Sequence, residues 1–306
     1  MSTSELYSEL RPRALAIAYR MLGSVSEAED VVQEAFLRMH QTMERDEPIN
    51  SPRAYVATLV TRLCIDQLRS ARARRERYVG EWLPEPVVTG PSPADQAETA
   101  DSLSLAFLVL LENLSPAQRA AFLLREVFDY PYPEVADIVG TDVDSARHLV
   151  ARARAHVQER RPRQHASRRQ RDELAARFFA AAGQGDLGAL EAMLAQDVAM
   201  HGDGGGKAPA LARPINGRDR VARALVKGLA ALPRLGVRLQ VTEVNGQPGA
   251  LAFDPQDRLV AVVSLDIVEE RIQTIHSVVN PDKLRHLGEV GDAKALVRDS
   301  RRRPNT

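Results

Sequence analysis

The segment Ser51–Arg77, SPRAYVATLVTRLCIDQLRSARARRER, decides how the rest of this chain is read. Tyr55, Leu59 and Leu63 recur at helical spacing, and Val56, Val60, Cys64 and Leu68 form the adjacent row, so an apolar stripe runs along one side of a helix. Pro52 suits the first helical turn, where its missing N–H is no loss, and Ser51 before it can cap the free N–H groups. The opposite face carries Arg62, Asp66 and Arg69, and the end gathers Arg72, Arg74, Arg75 and Arg77. A helix that is core on one side and cationic rod on the other has the form of a phosphate-reading part. In isolation it reads equally well as a solvated helix end whose arginines suit the C-terminal dipole. The surroundings decide between the two.

Upstream, Leu6–Arg45 reads as two helices. The first carries Leu10, Ala14, Ile17, Ala18 and Met21 and stops at Gly23; the second opens with Ser26-Glu27-Ala28-Glu29, read as a capping box. Val32, Ala35, Phe36 and Met39 face inward there, leaving Asp30, Gln33, Glu34, Leu37 and Arg38 outside, and an exposed leucine among charges hints at a protein interface. With Ser51–Arg77 these make a three-helix unit. Downstream, 78–102 is rich in proline and acid and reads as an extended linker, yet it holds the sole tryptophan, in Trp82-Leu83-Pro84-Glu85-Pro86. A tether has no need of an indole, so this segment is expected to dock between domains.

A second helical unit spans 103–160. Ser115-Pro116-Ala117-Gln118 is a capping box with proline at the first helical position. Pro133–Val139 forms a short helix closed by Gly140, and a second, Ser145–Gln158, follows with Asp142 or Asp144 as its cap. Two short helices across a glycine-containing turn are the helix-turn-helix pattern, and the second bears Ser145, Arg147, His148, Arg152 and Arg154. The basic stretch 161–171 reads as a linker.

From 172 the periodicity changes. Helices around Phe178, Leu190 and Arg218–Leu229 precede alternating strands at Val237–Thr242, Gly249–Phe253, Leu259–Val268 and Arg271–Val279, with Asn245-Gly246 as a hairpin turn. This predicts an α+β domain whose curved antiparallel sheet encloses a pocket, followed from 288 by a frayed basic tail. His201, Asp203, Asp266, Glu269 and His276 could supply general acid–base groups in such a pocket, but every tyrosine lies at or before Tyr132, and no histidine–carboxylate set is fixed by spacing. Enzymatic turnover is not expected. Asp203–Lys207, DGGGK, fails as a phosphate loop because Ala208 stands where Ser or Thr is needed, and reads as a glycine-rich turn.

Bulk composition sets wide bounds. Its 306 residues allow two or three domains, and 41 basic against 41 acidic residues exclude a uniformly basic protein while permitting local basic faces. The single cysteine, Cys64, rules out an internal disulfide and a cysteine-based zinc site, which with no signal peptide or membrane span points to the cytoplasm. No metal or cofactor is expected.

SEAEDVVQEAFLRMHQ, the Ser51–Arg77 segment and LSPAQRAAFLLREVFDYPYPEVADIVGTDVDSARHLVARARAHV together resemble regions two and four of an extracytoplasmic-function sigma factor. The remainder resembles an NTF2-like, or SnoaL-like, domain, and WLPEP, DGGGK and NPDKL resemble motifs of the sigma-factor group bearing that extension. The resemblance implies a multidomain fold, two all-α sigma domains and one α+β domain. The divisions would be 1–77 region 2, 78–102 linker, 103–160 region 4, 161–171 basic linker, 172–287 NTF2-like domain and 288–306 flexible tail. It implies that Asp30, Gln33, Glu34, Leu37 and Arg38 contact the coiled coil of the largest subunit of RNA polymerase core. Promoter −10 contact would fall to Arg62, Asp66, Arg69, Arg72, Arg74 and Arg75, and −35 contact to Ser145, Arg147, His148, Arg152 and Arg154. The motif residues Trp82, Leu83, Pro84, Glu85, Pro86, then Asp203, Gly204, Gly205, Gly206, Lys207, then Asn280, Pro281, Asp282, Lys283, Leu284, would regulate the reader in cis. We expect these three segments to lie near one another. Polymerase core and promoter DNA are the implied partners, with a small-molecule ligand of the last domain as a further candidate and no membrane. The competing readings are a helix-turn-helix regulator with a ligand-binding domain and a SnoaL-type enzyme.

Overall fold

The helical spacings of the first half are realised as helices whose ends follow local rules. The computed structural model describes residues 3–45, 48–75, 78–90, 102–158, 167–229, 232 and 235–302. The chain divides into two units, one of Met1–Arg77 with Leu108–Arg161, the other of Tyr78–Phe107 with Pro162–Thr306.

In the first unit α1 is Thr3–Leu22, α2 Val25–Glu44 and α3 Pro52–Arg75. Gly23, at φ 68°, turns the chain out of α1. The cap of α2 is Ser24 rather than the expected Ser26: its Oγ accepts from the Glu27 N–H at 3.2 Å. The left-handed Gly23 delivers Ser24 in extended conformation, which an N-cap needs, and puts Ser26 inside the first turn. Val56, Val60, Cys64 and Leu68 of α3 are buried as their stripe predicts. Helix α4, Leu105–Leu111, straddles the boundary between the units. Then α5, Pro116–Phe122, opens on the expected Ser115–Gln118 capping box and runs into one wide turn, Leu123–Val127. Helices α6, Tyr132–Val139, and α7, Val143–Gln158, complete the unit.

Arg119 of α5 is only 2% exposed. Its guanidinium donates to Leu111 O at 3.0 Å, to Met21 O at 2.6 Å and to Glu112 Oε1 at 2.8 Å, so one buried cation ties the end of α1 to α4 and α5.

The second unit packs α8, Arg168–Gln184, α9, Leu187–Met193, and α10, Arg218–Leu229, with a seven-stranded sheet. Its strands are β1 Val88–Thr89, β2 Leu194–Asp203, β3 Ile215–Asn216, β4 Arg238–Val244, β5 Gln247–Phe253, β6 Leu259–Val268 and β7 Arg271–Val278, in the order β1-β4-β5-β6-β7-β2-β3. The Asn245-Gly246 turn forms as expected, both residues at positive φ.

Three expectations change. The sheet is not wholly antiparallel, because β2 lies parallel to β7. Residues 168–171 are not linker: α8 starts at Arg168 behind a Ser167–Gln170 capping box. The stretch 288–306 is not simply a tail, since α11 occupies Ala293–Arg302. Its short stripe of Ala293, Leu296 and Val297 is set among charges, which masked the helical signal. The segment 78–102, expected to dock, is described over 78–90 and at 102. Its described part packs within the second unit, and Val88 and Thr89 pair with Val244 and Glu243.

Candidate nucleic-acid interface and linker dock

Gly140 ends α6 at φ 78°, sending its N–H to Ala136 O, and Asp142 starts α7 by accepting from the Ser145 N–H at 2.8 Å. The two bonds Ser145 makes hold the Asp142 carboxyl below its ordinary pKa. Ala146, Val150, Ala153 and Val157 bury the inner face of α7, so Arg147, His148, Arg152 and Arg154 are exposed on the outer one and Ser145 sits at its half-buried start. Short polar and basic side chains near the start of an exposed helix suit major-groove reading. Two of the cations have partners already. Arg147 donates to Asp144 at 2.8 Å and Arg154 makes a two-pronged contact with Glu126.

On α3, Asp66 and Arg69 form an exposed pair at 3.4 Å. Arg62 points at protein: Nε donates to Ile138 O at 3.1 Å and Nη2 to Asp137 O at 2.8 Å, the last carbonyls of α6. Arg72, Arg74 and Arg75 belong to the last turns of α3, with side chains outside the described residues, as is Arg77. On α2, Asp30, Gln33 and Arg38 are exposed, Glu34 is half-buried and bonds Arg38 at 2.7 Å, and Leu37 is 51% exposed.

The second unit brings WLPEP, DGGGK and NPDKL together around one carboxylate. Asp203 is fully buried and accepts from Tyr78 Oη at 2.6 Å, the Leu83 N–H at 2.8 Å, the Gly205 N–H at 3.0 Å and Lys283 Nζ at 2.7 Å. Four donors satisfy a charge that burial would otherwise make costly. Lys283 also donates to Leu83 O and stands over the rings of Trp82 at 4.1 Å and Tyr78 at 5.0 Å. Asn280 caps the turn Pro281–Lys283 by accepting from the Asp282 N–H and donates to Tyr78 Oη at 2.7 Å, while Lys207 pairs with Asp282. Burial and the neighbouring Asp203 push the Tyr78 phenol up. Leu83 and Leu284 are fully buried, and Glu85 is 8% exposed. Pro86 O lies 2.7 Å from His286 Nε2.

The glycines are steric requirements here. A Cβ on Gly204 would lie 2.3 Å from Ala208 O, and one on Gly205, at φ 54°, would lie 2.4 Å from Asn280 Nδ2. The Lys207 and Ala208 N–H groups close onto Gly204 O, so the run is the expected turn and not an anion cradle.

Tyr78, His201, Asn245, His276 and His286 were not singled out for this dock by the sequence. Asn245 accepts from the Val87 N–H at 2.8 Å and donates to Leu103 O at 2.9 Å. His201 Nδ1 lies 2.6 Å from Glu81 Oε1, and its ring stacks on His276 at 5.3 Å. Although every tyrosine lies at or before Tyr132, the last domain does receive one, since Tyr78 reaches it from the linker. The proposed acid–base set does not line the cavity of this unit, and among the described residues no cluster is placed to hold a metal ion. No helix among them is long and apolar enough to cross a membrane.

Burial, and secondarily His201, depress His276 to a pKa of about 3. An unfolded histidine titrates near 6.5, so between these values the unfolded state binds the extra proton. Stability is therefore expected to be constant above about pH 6.5 and to fall below it, by up to about 1.4 kcal/mol per pH unit. Urea melts of the full chain from pH 7.5 to 5 check this; in His276→Gln that part of the slope should vanish, and an unchanged slope rejects the assignment.

A family model of sigma-70 region 2 matches residues 6–74, and one of sigma-70 region 4 matches residues 104–157. The ECF RNA polymerase sigma factor SigJ of Mycobacterium tuberculosis is 37% identical over 297 residues, covering 92% of this chain and 93% of that protein. The probable ECF RNA polymerase sigma factor SigI of the same species is 33% identical over 274 residues, covering 88% and 90%. The crystal structure of M. tuberculosis SigJ superposes with a TM-score of 0.74 at 34% identity, covering 93% of this chain and 98% of the other.

Proposed function

Because this chain belongs to the extracytoplasmic-function sigma factors of RNA polymerase, we propose a division of its surfaces between polymerase, promoter and self-control. It is a sigma factor, directs promoter-specific initiation, and is not an enzyme. Its partners are polymerase core and promoter DNA, which places it in the cytoplasm. We assign core binding to Asp30, Gln33, Glu34, Leu37 and Arg38, −10 contact to the cationic side of α3, and −35 contact to the outer face of α7. The observation that carries this is α7 itself, a capped helix with a buried alanine–valine stripe behind four exposed basic side chains.

Run-off transcription with core polymerase and a promoter library tests it. Arg147→Ala is expected to weaken −35 protection by about 1–3 kcal/mol and to relax preference at one base position. A loss equal on all sequences reassigns Arg147 to phosphate contact. A plain helix-turn-helix repressor would bind duplex DNA alone and would not co-purify with core polymerase.

The three motifs are proposed to regulate the reader in cis. The supporting observation is that the segment linking regions 2 and 4 is held by the C-terminal unit through Asp203 and Lys283. A segment so held has a restricted reach, and reach sets which spacings of two promoter elements can be met together.

A further inference from the structure

The C-terminal unit contains a cavity of about 280 Å³ that promoter reading does not use. Phe178 of α8, Leu225 of α10, Val263 of β6, Ile275 of β7 and Leu296 of α11 are among its walls. Among the described residues Ser277 supplies the one polar side chain of its lining, and no charged residue contributes. Protein interiors close-pack and rarely leave voids larger than a water molecule, whereas this space equals the liquid volume of roughly nine waters. Water gains little there, because a buried water needs two to four polar partners and the wall offers one hydroxyl. A charged guest would lose its hydration with nothing to replace it. The volume of about 280 Å³ falls just below the range of roughly 300–1,000 Å³ for pockets that hold drug-sized ligands, which suits a smaller guest.

We propose that this cavity is a binding site for an electroneutral, largely apolar small molecule with a single hydrogen-bonding group set against Ser277. The site binds without converting. His201, Asp203, Asp266, Glu269 and His276 are absent from its lining, so among the described residues no general acid or base meets the guest. Helix α11 supplies Ala293, Leu296 and Val297 to the wall, which gives the C-terminal helix the role of a cover.

A matched pair of fluorophores tests the site in the full chain without any transcription readout, so its outcome does not depend on promoter or polymerase contacts. N-phenylnaphthylamine is neutral with one N–H; anilinonaphthalene sulfonate is the same skeleton with an added anion. The neutral probe is expected to show saturable one-to-one enhancement, and the sulfonate to bind at least about tenfold more weakly. Ala261→Phe and Ala224→Leu place bulk in the wall from β6 and from α10 and should each weaken the neutral probe at least about tenfold while keeping the wild-type circular dichroism. If Ala261→Phe does not fold, Ala224→Leu reads the site alone. No saturable signal in the wild-type chain, equal binding by the folded variants, or equal affinity for the sulfonate overturns the proposal.

Discussion

Replacing Asp203 by alanine is expected to free the segment Tyr78–Thr89 and to destabilise the C-terminal unit by about 3–5 kcal/mol, the range for removing one partner of a buried ion pair. The loss is large because Lys283 is left nearly buried, and the Leu83 N–H and the Tyr78 hydroxyl lose their shared acceptor. Hydrogen exchange at the Leu83 amide and the emission of Trp82, the sole tryptophan, report the release. Asp203→Leu combined with Lys283→Met removes both charges, so it should recover part of the stability without restoring the Leu83 protection. Wild-type exchange at Leu83 in Asp203→Ala would show that the carboxylate does not hold the segment. At equal core binding, the same variant should change run-off yield severalfold; an unchanged yield with the segment released removes the proposed control in cis.

The second large effect belongs to the helical unit. Arg119→Met should cost about 3–5 kcal/mol in urea unfolding, since a buried guanidinium serves two main-chain carbonyls and Glu112 at once. Burial also holds this arginine well below the ordinary range for the side chain, to about 9, so its charge is tolerated only through those partners. Methionine fills much of the volume, which makes the comparison one of polarity and not of packing. A change below about 1 kcal/mol would show that water replaces the guanidinium at those carbonyls.

What could be read from the residues was what is set locally. The Ser115–Gln118 box, the Gly140 turn, the α3 stripe and the Asn245-Gly246 hairpin all depend on groups within four positions of one another. The lengths of α3, α6 and α7 differ from expectation by at most about two residues at either end, the normal uncertainty of helix termini. Non-local pairing was not legible. Strand β2 shows weak alternation and joins β7 in parallel across some eighty residues, with no turn to announce it. Asn245 was visible as a turn residue, but its side-chain partners, Val87 and Leu103, stand 158 and 142 positions away. The motifs around Trp82, Asp203 and Asn280 could be grouped only through resemblance, because the carboxylate at their centre gives no spacing signal.

Arg62 was equally legible as a cation and equally opaque as to its partner, since main-chain carbonyls leave no trace in sequence. Its grip on Asp137 O and Ile138 O would make α6 a competitor for the phosphates that we propose α3 meets. A cation with two alternative acceptors binds the second with an apparent affinity reduced by the fraction of molecules in which the first has let go. If α3 meets promoter phosphates as proposed, a partner that drew α6 away from α3 would raise the chain's affinity for DNA without touching a single base.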